Sequence, residues 1–66
     1  MRGNYLMNCL WYEDLPPENA ASALNLTPAE FYDKVFGAAD FTLKEIAKLT
    51  ALLGLTEEEV DMIFFG

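Results

Sequence analysis

Three stretches share one four-residue grammar: Thr27-Pro28-Ala29-Glu30, Thr42-Leu43-Lys44-Glu45 and Thr56-Glu57-Glu58-Glu59. In each, the Thr hydroxyl can accept from the amide three residues on, and the Glu carboxylate can reach back to the Thr amide. Each is a helix start, and each cap contributes about 1 kcal/mol. Pro28 suits a first helical position, where its missing N–H costs nothing. Gly37 and Gly54 stand where left-handed stops are needed. The punctuation predicts helices near 27–36, 42–53 and 56–65.

Apolar spacing agrees. Phe31 and Val35 fall at i, i+4. Leu43, Ile46, Leu49, Thr50 and Leu53 follow helical periodicity, with Ala47 beside them, and Val60, Ile63 and Phe64 form a third stripe. The front half is marked less sharply. Residues 4–14 read as a helix with Tyr5, Leu6, Cys9, Leu10 and Tyr12 turned inward, broken by Leu15-Pro16-Pro17. Pro17 then opens a short Ala-rich helix, 17–24, with Asn25 as its left-handed stop. No β alternation occurs, so the expected architecture is one all-α domain of five helices.

Composition excludes several classes. Apolar residues make up 53% of the 66, too many for a disordered acidic tail. No run of about 18 apolar residues could span a bilayer, and no secretory leader pattern follows Arg2. One Cys and no His give neither an internal disulfide nor a usual zinc site. Cys9 reads as a buried thiol, in keeping with a reducing, cytoplasmic setting. There is no nucleophile with a base partner, no phosphate-binding glycine loop and no calcium loop. The expectation is no enzyme, no catalytic residue, no cofactor and no metal.

Helix 17–24, a tight Asn25-Leu26 turn and helix 27–36 make a helix-turn-helix. Ala20, Ala21 and Leu24 face Leu26, Phe31 and Val35, and the small Ala21 allows close approach. With Gly37, Asp40-Phe41-Thr42-Leu43, Glu45-Ile46, Leu53-Gly54-Leu55-Thr56, Glu58-Glu59 and Ile63-Phe64-Phe65, nearly the whole chain resembles the phage Cro/repressor-type (XRE-like) helix-turn-helix family. That resemblance implies a compact, lambda-repressor/Cro-like fold. It also implies that helix 27–36 occupies the place of a DNA-reading helix.

The family's reading helix commonly carries Ser, Arg and other polar or basic residues. Its preceding helix often opens with a phosphate-gripping Gln. Here those places hold Pro28, Asp33, Ala38 and Pro17, and Lys34 is the single cation between Arg2 and Lys44. Phosphate contact works through counterion release and needs cations. A chain with 4 Lys plus Arg against 11 Asp plus Glu, net −7, repels a duplex instead.

The same face reads as acidic and aromatic: Glu30, Tyr32, Asp33 and Phe36, with Asp40 nearby. Trp11 is the sole Trp and stands opposite part of its helix's apolar stripe; it is either a second candidate contact or a core residue. Tyr32 and Phe36 serve either as partner anchors or to finish the core or a dimer seam. Glu57-Glu58-Glu59 is a helix-dipole complement or part of a DNA-mimicking strip. Glu13, Asp14 and Glu18 are a solvated loop or a further acidic patch. One of the Phe64-Phe65 rings is expected to be uncovered.

The expected function is a small regulator encoded by a phage or mobile element. It would bind and inhibit a basic nucleic-acid-handling protein, a nuclease or a repressor, in the manner of anti-CRISPR proteins or antirepressors. The alternative is a DNA-binding transcriptional regulator of the Cro/XRE type, acting as a homodimer through helix 27–36. A third reading is an oligomerisation module.

Overall fold

The computed structural model describes residues 2–66. Among them are five helices and no strand: α1 (Gly3–Tyr12), α2 (Pro17–Ala23), α3 (Pro28–Val35), α4 (Leu43–Leu53) and α5 (Glu57–Val60), which runs on into a π-helical segment, Asp61–Phe65. The radius of gyration is 10.4 Å, against about 11 Å expected for a compact chain of this length.

All three capping boxes are formed. The Thr27, Thr42 and Thr56 hydroxyls accept from the Glu30, Glu45 and Glu59 amides, and each Glu carboxylate accepts from the amide of its Thr in return. The helix ends are equally regular. Asp14, Asn25, Gly37 and Gly54 all have positive φ. The residue after each donates its N–H five positions back: Leu15 to Leu10, Leu26 to Ala21, Ala38 to Asp33 and Leu55 to Thr50, at 2.8–3.0 Å. This is the Schellman stop, which satisfies carbonyls that the helix itself leaves unpaired. At three of the four stops the following residue is Leu, and Leu15, Leu26 and Leu55 all pack against the core. One motif therefore ends the helix, turns the chain and anchors the turn.

The core comprises Leu6, Leu10, Ala20, Ala21, Leu24, Phe31, Val35, Leu49, Leu53 and Ile63. No polar or charged residue is buried among the described residues. α2 packs on α3, and the small Ala20 and Ala21 of α2 are fully buried. Aromatic rings run edge to face from Phe31 to Phe41 (6.0 Å) and from Phe41 to Phe64 (5.6 Å), joining α3 to the π segment. Gly3 meets Val35 so closely that a Cβ there would strike the Val35 carbonyl oxygen.

Several inward assignments are corrected. Tyr12 is 87% exposed; it lies two residues, about 200°, beyond Leu10 and so points away from the Leu6–Leu10 stripe. Tyr5 lies at the rim, and Cys9 is half-buried rather than enclosed, because both flank that stripe. Leu43 is 76% exposed. It sits at the first position of α4, beyond the end of the core, which the Phe41 ring fills instead. Ala47 is exposed as well. The helix expected over 56–65 is α-helical only to Val60. The wider π winding buries Ile63 while its carbonyl accepts from the Arg2 amide at 2.8 Å. Of the Phe pair, Phe64 packs on the core and Phe65 is exposed.

Candidate functional site

The outer face of α3 follows from its amphipathic register. Phe31 and Val35 point inward, which turns Glu30, Asp33 and Phe36 outward and leaves Tyr32 at the edge. Tyr32 contacts the core edge-on through Phe31, with ring centroids 6.2 Å apart. Phe36 is 67% exposed and stacks on Tyr32 at 6.1 Å with the planes 8° from parallel. The core thus holds Tyr32, and Tyr32 holds Phe36 in the solvent. Tyr32 is shared between core and surface, and Phe36 belongs to the surface.

Among the acids of this face, Asp33 and Asp40 are exposed. Asp40 follows the Gly37 stop, whose Ala38 and Ala39 amides both donate to the Asp33 carbonyl, at 2.8 and 3.2 Å. That turn carries Asp40 back beside the end of α3. Glu30 is exposed but bent back, with Oε1 accepting from the Thr27 amide at 2.9 Å. The Thr27 amide is the main reason its pKa lies below the ordinary 4.5, so the carboxylate stays charged at neutral pH.

Lys34, the one cation on α3, does not join this face. Its Nζ lies 2.6 Å from Oε1 of Glu45 on α4, and both side chains are about seven-eighths covered. The oxygen also accepts from the Thr42 amide at 2.8 Å. Burial pushes the Glu45 pKa up, but the Lys34 and Thr42 hydrogen bonds outweigh it and the net position is below ordinary. The pair is internal cement between α3 and α4. The exposed cations among the described residues are Arg2, Lys44 and Lys48, and the last two lie one turn apart on α4.

Trp11 is 83% exposed, in line with its place off the apolar stripe. It does not join Glu30, Tyr32, Asp33, Phe36 and Asp40. It lines a separate groove of about 350 Å³ between the end of α1 and the start of α2, with Met7, Leu10, Asp14, Leu15, Pro16 and Pro17. Sequence reading missed this groove. Its trace was the Asp14-Leu15 pair, which matches Asn25-Leu26 and Gly54-Leu55 and marks a Schellman stop rather than a loose break.

A second hollow holds Tyr5, Cys9, Tyr12, Glu13 and Glu59. The Tyr5 hydroxyl donates to Glu59 at 3.3 Å. Burial, with Glu59 and Glu13 nearby, pushes the Cys9 thiol pKa up. A protonated thiol among carboxylates is a poor nucleophile. Glu59 caps α5 at the same time, which favours the helix-stabilising reading of that residue in the Glu57-Glu58-Glu59 run. Among the described residues, no group of three or more potential metal ligands is gathered, and no helix is long and apolar enough to cross a membrane.

No family model matches the chain, and no curated protein or solved structure matches it either.

Proposed function

We propose that this chain is a small acidic regulator of phage or mobile-element type that works by binding a basic nucleic-acid-handling protein and blocking it. Its scaffold, on this reading, is the Cro/XRE-like helix-turn-helix, with α2 and α3 as the motif and α3 as the contact helix. The observation that carries the reading is the fate of Lys34. Its charge is spent inside on Glu45, so the outer face of α3 presents Glu30, Asp33 and neighbouring Asp40 around the stacked Tyr32 and Phe36. Carboxylates along a helix offer a basic cleft the charge pattern of phosphates. An exposed aromatic held in place by another supplies the kind of anchor that dominates interfaces. Such a regulator acts in the cytoplasm, where its partner meets nucleic acid, and needs no cofactor.

Operator recognition by a homodimer through α3 is the competing function. The exposed Lys44 and Lys48 on α4 favour it, but two cations release few counterions.

The test is a pair of measurements. The chain should co-purify from its host with a basic partner, and that complex should be lost in the double variant Glu30→Lys, Asp33→Lys and displaced by the partner's own nucleic acid. Retention of the complex by the double variant would show that α3 is not the contact. Tight, steeply salt-dependent binding of the chain itself to duplex DNA would replace this function with operator recognition.

A further inference from the structure

The α1–α2 groove is built differently from the α3 face, and its chemistry points to a different contact. Its floor is Met7, Leu10 and Leu15, of which Leu10 is buried and the others half-buried. One wall is the Trp11 indole. The other is Pro16-Pro17, with Pro16 in an extended conformation at φ −60° and ψ 145°. Asp14 is part of the rim and is the one charged residue of the lining, and the exposed Glu18 follows Pro17 in sequence.

The site is held rigid. Asp14 donates its N–H to the Trp11 carbonyl at 3.1 Å and Leu15 to the Leu10 carbonyl at 2.9 Å. These two bonds of the Schellman stop fix the turn of backbone that carries the indole and the carboxylate. Two prolines stiffen the opposite wall, so little ordering entropy is lost on binding. No Lys or Arg occurs between Arg2 and Lys34, and no cation lines the groove.

An apolar floor, an exposed indole and a one-signed rim select their occupant by charge complementarity. We propose that this groove docks an extended arginine-bearing segment of a partner protein, with an aliphatic side chain on Met7, Leu10 and Leu15 and a guanidinium on Trp11 beside Asp14. Arginine fits better than lysine. Its planar face stacks on indole while its N–H edge reaches a carboxylate, and it is more weakly hydrated. The inference is independent of the α3 reading, since the two surfaces share none of their residues.

Trp11 is the only Trp, so its fluorescence reports this groove alone. The probes are a capped heptapeptide centred on Leu-Arg-Pro-Leu-Arg and its counterparts with Lys or Glu in place of Arg. The expected result is a saturable change in Trp11 emission with the Arg peptide, about two- to fivefold weaker binding with Lys, and none with Glu. Raising NaCl from about 0.05 M to about 0.5 M should weaken binding, because the screening length falls from roughly 14 Å to roughly 4 Å. Asp14→Asn should weaken it too, while leaving the positive-φ turn intact, since Asn tolerates that conformation. Amide shift mapping should place the peptide at residues 7–17, and Glu30→Lys, Asp33→Lys should bind it as the parent does.

The proposal is overturned by no saturable change with the Arg peptide, by equal binding of the Glu peptide, or by shifts confined to α3. It is also overturned if the chain sediments as a dimer that Trp11→Ser returns to a monomer, which would assign the groove to a second copy of this chain.

Discussion

The Lys34 ammonium and the Thr42 amide converge on the same atom, Oε1 of Glu45, at 2.6 and 2.8 Å. One carboxylate oxygen therefore starts α4 and ties α4 to α3. Lys34→Ala should leave that covered carboxylate without its cation and cost about 2 kcal/mol, or about 10 °C in thermal midpoint for a domain this small. Calorimetry on the two proteins checks it.

Because the Lys34 ammonium donates to the Glu45 carboxylate and the Thr42 hydroxyl accepts from the Glu45 amide, both act on one residue and their losses should not add. Thr42→Ala alone should cost about 1 kcal/mol. In a double-mutant cycle with Lys34→Ala, the combined loss should differ from the sum of the single losses by at least about 0.5 kcal/mol. Thr27→Ala, whose box has no such cross-link, should add to Lys34→Ala within error. Urea denaturation of the six proteins decides between coupling and independence.

The same carboxylates set the acid limit. Glu30 and Glu45 both have folded pKa values below the ordinary 4.5, so the folded chain binds fewer protons than the unfolded one in that range. Their contribution to stability is full above the ordinary value and is lost as pH falls through the folded values. The thermal midpoint should hold above about pH 5 and drop below about pH 4. Glu45→Gln should flatten that drop more than Glu58→Gln, which lies exposed in the first turn of α5.

Backbone constraints give two substitutions with separable causes. Gly3→Ala drives a Cβ into the Val35 carbonyl, a backbone atom of another helix that cannot rotate aside. The expected loss is about 1–3 kcal/mol. Gly54 has open space around its Cβ direction but a φ of +62°, so Gly54→Ala should cost about 1 kcal/mol through conformation alone. Gly54→Asn should recover part of it. Thermal melts of the three variants separate collision from conformational strain.

Phe31 within α3 and Phe36 at its C-cap should behave oppositely. Phe31 is fully buried, and Phe31→Ala should cost about 3–5 kcal/mol and unfold much of the population. Phe36 is 67% exposed and stacks on the Tyr32 ring, so Phe36→Ala should change stability by under about 1 kcal/mol. It should nonetheless abolish partner capture, measured as the complex retained on an affinity matrix.

The local devices were legible because they are local. Thr and Glu three residues apart meet through their own turn of backbone, so all three capping boxes form where the spacing places them. Gly37, Gly54 and Asn25 take positive φ for the same reason, and Ala20 and Ala21 are buried where their size predicts. Helical period gives a face but not where along the helix the core stops. That is why Leu43, on the right face but past the end of the core, stands in solvent. Tyr12, two residues beyond Leu10, is off the stripe by helical period itself.

What only packing decided is which distant groups meet. Lys34 reads in sequence as a cation on the outer helix, and an α4 carboxylate eleven residues on makes it structural. Trp11 reads in sequence as either a contact or a core residue, and the Schellman turn at Asp14 gives it a groove of its own. A hydrogen bond within one turn is written in spacing, whereas a pairing between helices depends on how their surfaces interlock, and that is settled only when the core closes.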